Sequence, residues 1–349
     1  MSSGIKEPKV ALLLPGEFRR LAPHQGALET WFDPGIGLPR PYRIVGGSAG
    51  AIMATAHAPG NPINSAMVHE VIRDLKPSQI FSVPMEKKVA GLLAAGALSF
   101  PLLSHLEPEL KPPARFLLHA GQTLFGIALG YYVVRSIFTS QSIFDNSPLE
   151  RLLLNTMDFE AIVKSDIEVR ITATDIETGE HVVFSTHAPG LTLRELVNIL
   201  LASATVPVHF PLRRVGSRVF TDAEVRTNFP IGELEDADVV FVFSYAEALG
   251  SYPVPKTWGD HFNGMWNIIK TENARKDRAA FERRRREEPN LPEVVFLNTD
   301  RAIPPLQFEN FNRRDMERSI RLGSEVIQEN LEVIGGALGR AAERVKARE

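Results

Sequence analysis

Short apolar runs alternate with helix-length segments along most of this chain. Strands are predicted at residues 10–14, 44–45, 169–174, 181–184, 239–243 and 294–297. Helices are predicted at about 25–32, 48–56, 193–204 and 314–330. Because a strand that is covered on both faces reads as one continuous apolar run, the alternation indicates an α/β fold with a mostly parallel central sheet sandwiched by helices.

Residues 88–134 break this alternation and are predicted to form a hydrophobic helical insertion. They include the uncharged run 116–134, "FLLHAGQTLFGIALGYYVV", which is just long enough to cross the hydrocarbon core of a bilayer. Three interpretations remain open: a buried helix pair, a lid that docks on a membrane, and a transmembrane span. His119 and Gln122 argue against a span, whereas Arg115 and Arg135 at the borders favour an interfacial segment.

A second unusual segment, 272–290, carries many charges of both signs and ends at a proline. Charges spaced three and four residues apart predict a solvated helix with ion pairs along its surface. The basic run 283–286 leaves contact with lipid phosphates open as an alternative.

Composition and charge narrow the classes of function. The chain has no cysteine, which excludes disulfides and thiolate chemistry, and its net charge of −3 predicts no nucleic-acid partner. The apolar run that precedes Glu17 is too short for a signal peptide. We therefore expect a cytoplasmic protein, with peripheral membrane contact, if any, made through 88–134.

The stretch "YRIVGGSAGAIMATAHA" contains a candidate nucleophile, Ser48. Its GxSxG pattern alone is weak evidence, because it arises by chance in roughly one chain in ten of this length. Here the motif follows a predicted strand and opens a predicted helix, which is the context of a nucleophile elbow. The small residues that would permit the sharp turn are Gly46, Gly47, Ala49 and Gly50.

A serine hydroxyl needs a base, and the sequence offers two kinds. An α/β-hydrolase places several strands before its elbow and uses a histidine further along the chain as the base. The candidate here is His261, the one histidine that follows residue 222. Only 45 residues precede this elbow, which leaves room for about one strand and one helix. The other kind of base is a carboxylate that takes the serine proton directly.

The segment 203–231, "SATVPVHFPLRRVGSRVFTDAEVRTNFPI", supplies such a carboxylate and resembles the patatin-like phospholipase family. In that family a GxSxG serine pairs with the aspartate of a DG[GA] motif, without histidine. The elbow positions match Gly46, Ser48 and Gly50, and the aspartate matches Asp222. The flanking positions in register are Ala202, Ser203, Pro207, Phe210, Pro211, Asn228 and Pro230.

The resemblance extends over most of residues 8–330, with 88–134 as the least similar part. It implies one three-layer patatin-like domain over 8–330, followed by a C-terminal helical tail at 331–349. It also implies a lipid acyl hydrolase with a Ser48–Asp222 dyad and a lipid or acyl-ester substrate. The chemistry of such a dyad needs no metal and no cofactor.

The family's glycine-rich oxyanion loop is altered in this chain. Aligning the family pattern GGGxRG with the sequence places Gly16, Glu17 and Phe18 where backbone N–H groups would hold the oxyanion. Glu17 and Phe18 would be strained wherever the loop needs a positive φ. Arg19 and Arg20 are expected to pair with Glu17 or to support the oxyanion themselves.

Two further features bear on the chemistry. In "DAE" the residue Glu224 adds a second carboxylate beside Asp222, so one of the two should hold its proton more tightly. His24, His57 and His209 lie near the motifs in sequence but are expected to be structural.

The resemblance and the two candidate dyad residues together imply a lipid acyl hydrolase. The alternative is a catalytically impaired patatin-like protein with a lipid-binding or regulatory role. This alternative arises because the loop that would hold the oxyanion during hydrolysis is altered.

Overall fold

The computed structural model describes residues 7–84, 142–245, 258–299, 301 and 311–348. The predicted insertion at 88–134 lies outside these residues, so its three interpretations remain predictions.

Eight strands form the sheet of the described chain. They are β1 (Val10–Leu14), β2 (Arg43–Gly47), β3 (Glu168–Asp175), β4 (His181–Ser185), β5 (Arg213–Val215), β6 (Arg218–Thr221), β7 (Val239–Tyr245) and β8 (Glu293–Asn298). The six predicted strands are confirmed, and the short hairpin of β5 and β6 was not predicted.

Ten α-helices accompany the sheet in the same residues. They are α1 (Leu21–Trp31), α2 (Ser48–His57), α3 (Pro62–Arg73), α4 (Pro77–Ile80), α5 (Ser147–Thr156), α6 (Phe159–Val163), α7 (Leu193–Ser203), α8 (Trp258–Glu287), α9 (Arg313–Glu329) and α10 (Leu331–Arg348). None of these described helices combines the length and the apolar character that crossing a bilayer requires.

The strand order across the sheet is β5-β6-β3-β2-β1-β7-β8, with β4 paired to β3. The four pairs that join β3, β2, β1, β7 and β8 are all parallel. The pairs of β3 with β4, β3 with β6 and β5 with β6 are antiparallel. The mostly parallel sheet predicted from the sequence is therefore confirmed.

The central strand β1 shows why the fold has three layers. Leu12 and Leu14 pack into the larger apolar core, whereas Ala11 and Leu13 pack into the core on the opposite face. All five β1 side chains are buried, and each leucine contributes about 1.5–3 kcal/mol by leaving water. Helices α1, α2 and α9 cover the first face, and Phe281 of α8 belongs to the second core.

The register of β1 and β2 brings two loops together. Leu14 lies opposite Gly46, so the segment that follows β1 lies beside the segment that follows β2. Ligands of open α/β sheets bind beyond the carboxyl ends of the strands, and these two segments occupy that edge.

The C-terminal segment forms a helix that packs on the rest of the fold. Ile334, Ala337 and Ala341 of α10 are fully buried in the larger core. Two arginines of the same helix, Arg340 and Arg344, pair with Glu293 of β8 at 2.5 Å and 2.9 Å. Helix α10 thus belongs to the same packed body as the strands.

Candidate active site

Ser48 stands at the sharp turn between β2 and α2. It is the first residue of α2, and its φ of 50° lies in the left-handed region, where a residue with a side chain is strained. Such strain persists only where the surroundings enforce it, and a strained serine between a strand and a helix has the geometry of a nucleophile elbow. The Ser48 N–H donates to Ser203 Oγ at 2.8 Å, which helps to fix the turn.

The glycines of the motif allow the helix to come close to the strands. A Cβ on Gly50 would lie 2.1 Å from the carbonyl oxygen of Leu14, and one on Gly46 would lie 2.6 Å from that of Gly50. Ala49 is buried beside them. Close helix packing is therefore the means by which the turn presents Ser48.

Asp222 lies beside this turn with no exposed surface. It precedes the 3-10 turn Ala223–Val225, and its Oδ1 accepts the N–H of Glu224 at 2.8 Å. A Cβ on Gly47 would lie 3.1 Å from the Ala223 Cβ. The Asp222 loop (residues 222–229) therefore packs directly against the elbow.

The surroundings of Asp222 raise the pH at which it ionises. Burial raises the pKa of Asp222, and the charge of the neighbouring Glu224 raises it further. The N–H of Glu224 and the side chain of Ser48 act in the opposite direction, because both stabilise the ionised carboxylate. Within the described residues, Asp222 Oδ2 has no hydrogen bond of normal length, which leaves it available to a nearby hydroxyl.

This raised pKa predicts that Asp222→Asn stabilises the folded protein at alkaline pH. The unfolded aspartate has a pKa of about 3.9, and the folded value lies above it, so folding favours the protonated form. The contribution of such a group to stability is fully present below the unfolded pKa and is lost as the pH rises through the folded pKa. The asparagine variant does not ionise and should not show this loss.

Urea unfolding at several pH values measures the effect. The free energy of unfolding of the asparagine variant should exceed that of the wild type by a margin that grows from acidic to alkaline pH. Asp33→Asn, a change at an exposed aspartate just beyond α1, is the control and should follow the wild type. If the free energy of unfolding changed with pH in the same way in Asp222→Asn and in the wild type, the raised pKa of Asp222 would be contradicted.

The Gly16 loop (residues 15–20) follows β1 and confirms the predicted strain at Glu17. The φ of Glu17 is 91°, a conformation that glycine adopts freely and glutamate does not. Residues Phe18–Arg20 form a 3-10 turn, and the ring of Phe18 packs against Phe311 with 5.2 Å between centroids. The loop thus keeps a glycine-like backbone at a position that carries a side chain.

Three cations surround the Glu17 carboxylate. Arg19 and Arg20 pair with it as expected, at 2.7 Å and 3.8 Å, and Lys270 of α8 is 3.2 Å away. Burial opposes ionisation of Glu17, but Lys270, Arg20 and Arg19 outweigh it and lower the pKa of Glu17 to about 2. Glu17 is therefore ionised at neutral pH, and its charge is balanced within the site.

Gly16 is the point where three loops meet. A Cβ on Gly16 would lie 2.7 Å from Glu224 Oε1 and 2.9 Å from the Ser48 Cβ. Gly16, Ser48 and Asp222 come from the loops after β1, β2 and β6. The structure thus brings the predicted dyad residues, Gly16 and Glu224 into one buried cluster.

A buried histidine supports the Gly16 loop. His24 Nε2 lies 2.9 Å from the Pro15 carbonyl oxygen, and His24 Nδ1 lies 2.8 Å from the hydroxyl of Tyr245. Because a carbonyl can only accept, Nε2 carries the proton and Nδ1 accepts from Tyr245. Burial lowers the pKa of His24 to about 3, so the ring is neutral and acts as a fixed support for the loop.

The other histidines near the motifs also have structural contacts. His57 Nδ1 bonds the Met53 carbonyl at 3.0 Å, and burial lowers the pKa of His57 to about 4. The ring of His209 stacks on Phe144. The side chain of His261 lies outside the described residues, so the histidine alternative is not tested.

One face of α8 holds the start of the Asp222 loop. Asn273 Nδ2 donates to the carbonyl oxygens of Glu224 and Val225, at 3.1 Å and 3.0 Å. Lys270 lies one turn earlier on the same helix and also faces the site, where its Nζ is 3.8 Å from Glu224 Oε2. These two side chains fix the loop at the point where it meets the elbow.

The end of the Asp222 loop is held by Asp277 of the same helix. Asp277 Oδ2 accepts from Thr227 Oγ1 at 2.5 Å and from the N–H groups of Asn228 and Phe229, at 3.2 Å and 3.3 Å. Spacings of three and four place positions 270, 273 and 277 on one side of a helix. That spacing is the sequence signal that indicates this face of the helix.

The prediction of a solvated helix at 272–290 is therefore only partly correct. Its outer face does carry surface ion pairs, such as Arg275 with Glu272 and Arg278 with Glu282. Its inner face packs on the Asp222 loop, because loop carbonyl and N–H groups need partners there.

Replacing Asp277 by Ala is expected to loosen the Asp222 loop. The change removes three hydrogen bonds to one carboxylate, so the free energy of unfolding should fall by about 2 kcal/mol. Urea denaturation of the purified protein measures this change. Glu282→Ala is the matched control, because it removes a surface ion pair worth at most about 1 kcal/mol. Equal losses in both variants would contradict the role given to Asp277.

The fold and the site define an α/β protein with a strained serine at a strand-to-helix turn, beside a buried aspartate. The sequence matches the model of the patatin-like phospholipase family over residues 22–235. That match covers more than half of the chain, and the chain belongs to this family. The family is one of phospholipases. The extent 8–330 predicted for the domain remains a prediction.

Several solved structures are similar at low sequence identity. Human GIVD cytosolic phospholipase A2, in complex with methyl gamma-linolenyl fluorophosphonate, is 13% identical with a TM-score of 0.44, over 97% of this chain and 60% of that one. VipD from Legionella pneumophila is 13% identical with a TM-score of 0.40, over 94% and 67%. ExoU of Pseudomonas aeruginosa, in complex with SpcU, is 16% identical with a TM-score of 0.33, over 97% and 52%.

This chain spans about half to two thirds of the length of those structures. No curated protein matches it by sequence.

Proposed function

We propose that the protein hydrolyses the acyl ester of a lipid, with Ser48 as nucleophile and Asp222 as base. The observation that carries this proposal is the strained Ser48 at the start of α2, against which the loop of the buried Asp222 packs. Membership of a phospholipase family supports a lipid ester as the substrate class.

In the first half of the proposed reaction, Ser48 Oγ attacks the acyl carbonyl while Asp222 takes the hydroxyl proton. The carbonyl oxygen becomes an oxyanion, held by backbone N–H groups of Gly16, Glu17 and Phe18. The N-terminus of α2 adds a favourable dipole. When the ester bond breaks, the departing alcohol receives the proton from Asp222, and the acyl group remains on Ser48.

In the second half, a water molecule takes the place of the Ser48 hydroxyl as the attacking group. Asp222 takes a proton from water as the oxygen attacks the acyl-enzyme, and it returns that proton to Ser48 Oγ when the fatty acid leaves. Since Asp222 must be ionised to act and its pKa is raised, turnover should increase as the pH rises through neutrality.

Covalent labelling tests this proposal. A fluorophosphonate probe should label the wild type and Ser217→Ala, in which an exposed serine of the β5–β6 turn is removed, but not Ser48→Ala. The same three proteins should show the same pattern of turnover on a panel of phospholipid, lysophospholipid and glyceride esters. A wild type that binds liposomes but takes no label and turns over no ester would favour the lipid-binding alternative instead.

A further inference from the structure

The end of helix α7 lies between the two loops that carry Ser48 and Asp222. Ser203 is the last residue of α7, and Thr205 follows two residues later. Both are fully buried. Ser203 Oγ accepts the N–H of Ser48 at 2.8 Å, and the Thr205 carbonyl oxygen accepts the N–H of Asp222 at 2.9 Å. One short segment thus bonds the backbone of both residues of the proposed dyad.

The sheet does not set the distance between the two dyad residues by direct strand pairing. Ser48 follows β2 and Asp222 follows β6, and the strand order places β3 between these strands. Strand β2 pairs with β3 in parallel, and β6 pairs with β3 in the antiparallel sense. The end of α7 spans this gap, because it bonds the residue that follows each strand.

Further hydrogen bonds fix the segment to α7 and to β6. Thr205 Oγ1 donates to the Leu201 carbonyl oxygen, one turn earlier, at 2.7 Å. The Thr205 carbonyl oxygen also accepts from Thr221 Oγ1, at 2.9 Å. Helix α7 is itself anchored by Leu200 and Leu201, which are fully buried in the larger core. A segment tied to this helix is therefore a fixed reference for both loops.

We propose that Ser203 and Thr205 are positioning residues, which hold Ser48 and Asp222 at the separation that proton transfer between them requires. This inference rests on the proposed function. No bond to Ser203 or Thr205 forms or breaks in the reaction, so both act through geometry alone. The positive φ of Ser48 persists only where contacts enforce it, and Ser203 supplies one of those contacts.

The first test removes the hydroxyl of Ser203. On a soluble short-chain ester, Ser203→Ala should lower kcat by about 10²-fold with little change in KM, because a misplacement of about 1 Å costs that much in rate. The rate of fluorophosphonate labelling should fall by a similar factor. Alanine favours a helix more than serine does, so the change does not weaken α7 itself. Ser319→Ala, the same change at a fully buried serine of α9, is the control and should retain full turnover.

The second test loosens the contact with Asp222. Thr205→Val keeps a similar shape but cannot donate to the Leu201 carbonyl oxygen, so the Thr205 carbonyl should hold Asp222 less firmly. The loss of kcat should be smaller than in Ser203→Ala, because the N–H of Asp222 keeps its acceptor. Thr205→Ser retains the hydroxyl and should match the wild type.

The outcomes separate the inference from the proposed function. Equal kcat in Ser203→Ala and the wild type, or a loss in KM alone, would overturn the inference while Ser48-dependent turnover leaves the proposed function standing. Equal losses in Ser203→Ala and Ser319→Ala would overturn it too, since lost packing would then explain both. A wild type without Ser48-dependent turnover would refute both proposals. If Ser203→Ala does not fold, as judged by circular dichroism, equal kcat in Thr205→Val and Thr205→Ser overturns the inference, and a slower Val variant supports it.

Discussion

Replacing Asp222 by Asn is expected to lower turnover of an acyl ester by about 10⁴-fold. The amide keeps the shape of the side chain and can still accept the N–H of Glu224, but it cannot take a proton from Ser48. Steady-state assays on a soluble ester measure the loss. Asp33→Asn is again the control and should retain full activity, because this exposed aspartate lies outside the site.

The size of this loss distinguishes a base from a structural residue. If Asp222 only shaped its loop, the asparagine variant would keep most of the turnover, since it preserves the hydrogen bond that begins the 3-10 turn. Circular dichroism and urea unfolding verify that the variant is folded. A folded variant with near-normal turnover would therefore contradict the role of Asp222 as base.

The parts of the fold that could be predicted are those with local signals. The run at 10–14 has five apolar residues in succession, and it is the fully buried central strand β1. The elbow was predictable for the same reason, because a strand, small residues and a helix follow one another within the sequence. Asp222 has no local signal of that strength, and only the resemblance of its flanking positions to the family pattern indicates it.

The parts that were missed depend on contacts between distant segments. Strands β5 and β6 have only three and four residues, and β5 carries Arg213 and Arg214 in place of an apolar run. They pair around Gly216, whose φ is 60°, at the end of the strand order. Strands this short have too few positions to show the periodicity that predicts a strand.

The electrostatics of the Gly16 loop illustrates the same limit. Strain at Glu17 and its pairing with Arg19 and Arg20 were predictable, because these residues are neighbours in the sequence. Lys270 was not, because it lies on a helix far along the chain from the loop. The packing of α8 across the site brings that ammonium to within 3.2 Å of Glu17.

Replacing Gly16 by Ala is expected to lower turnover by about 10³-fold or more. The new methyl group would lie 2.7 Å from Glu224 Oε1 and 2.9 Å from the Ser48 Cβ, so one of these side chains must move. Moving Ser48 misplaces the attacking oxygen, and moving Glu224 disturbs the loop whose N–H bonds Asp222 Oδ1. The loss should appear in kcat and in the rate of fluorophosphonate labelling.

Gly339→Ala is the matched control for this prediction, since a Cβ at that position of α10 meets nothing within 4 Å. It should leave turnover unchanged and stabilise the helix by about 1 kcal/mol or less.

Combining Gly16→Ala with Glu224→Ala separates the two causes, because it removes the contact at Oε1 and keeps the one at Ser48. If the double variant is no slower than Glu224→Ala alone, the clash with Glu224 accounts for the loss; if it stays as slow as Gly16→Ala, the displacement of Ser48 does. Full activity in Gly16→Ala would contradict the close approach of these three residues, and with it the site as described.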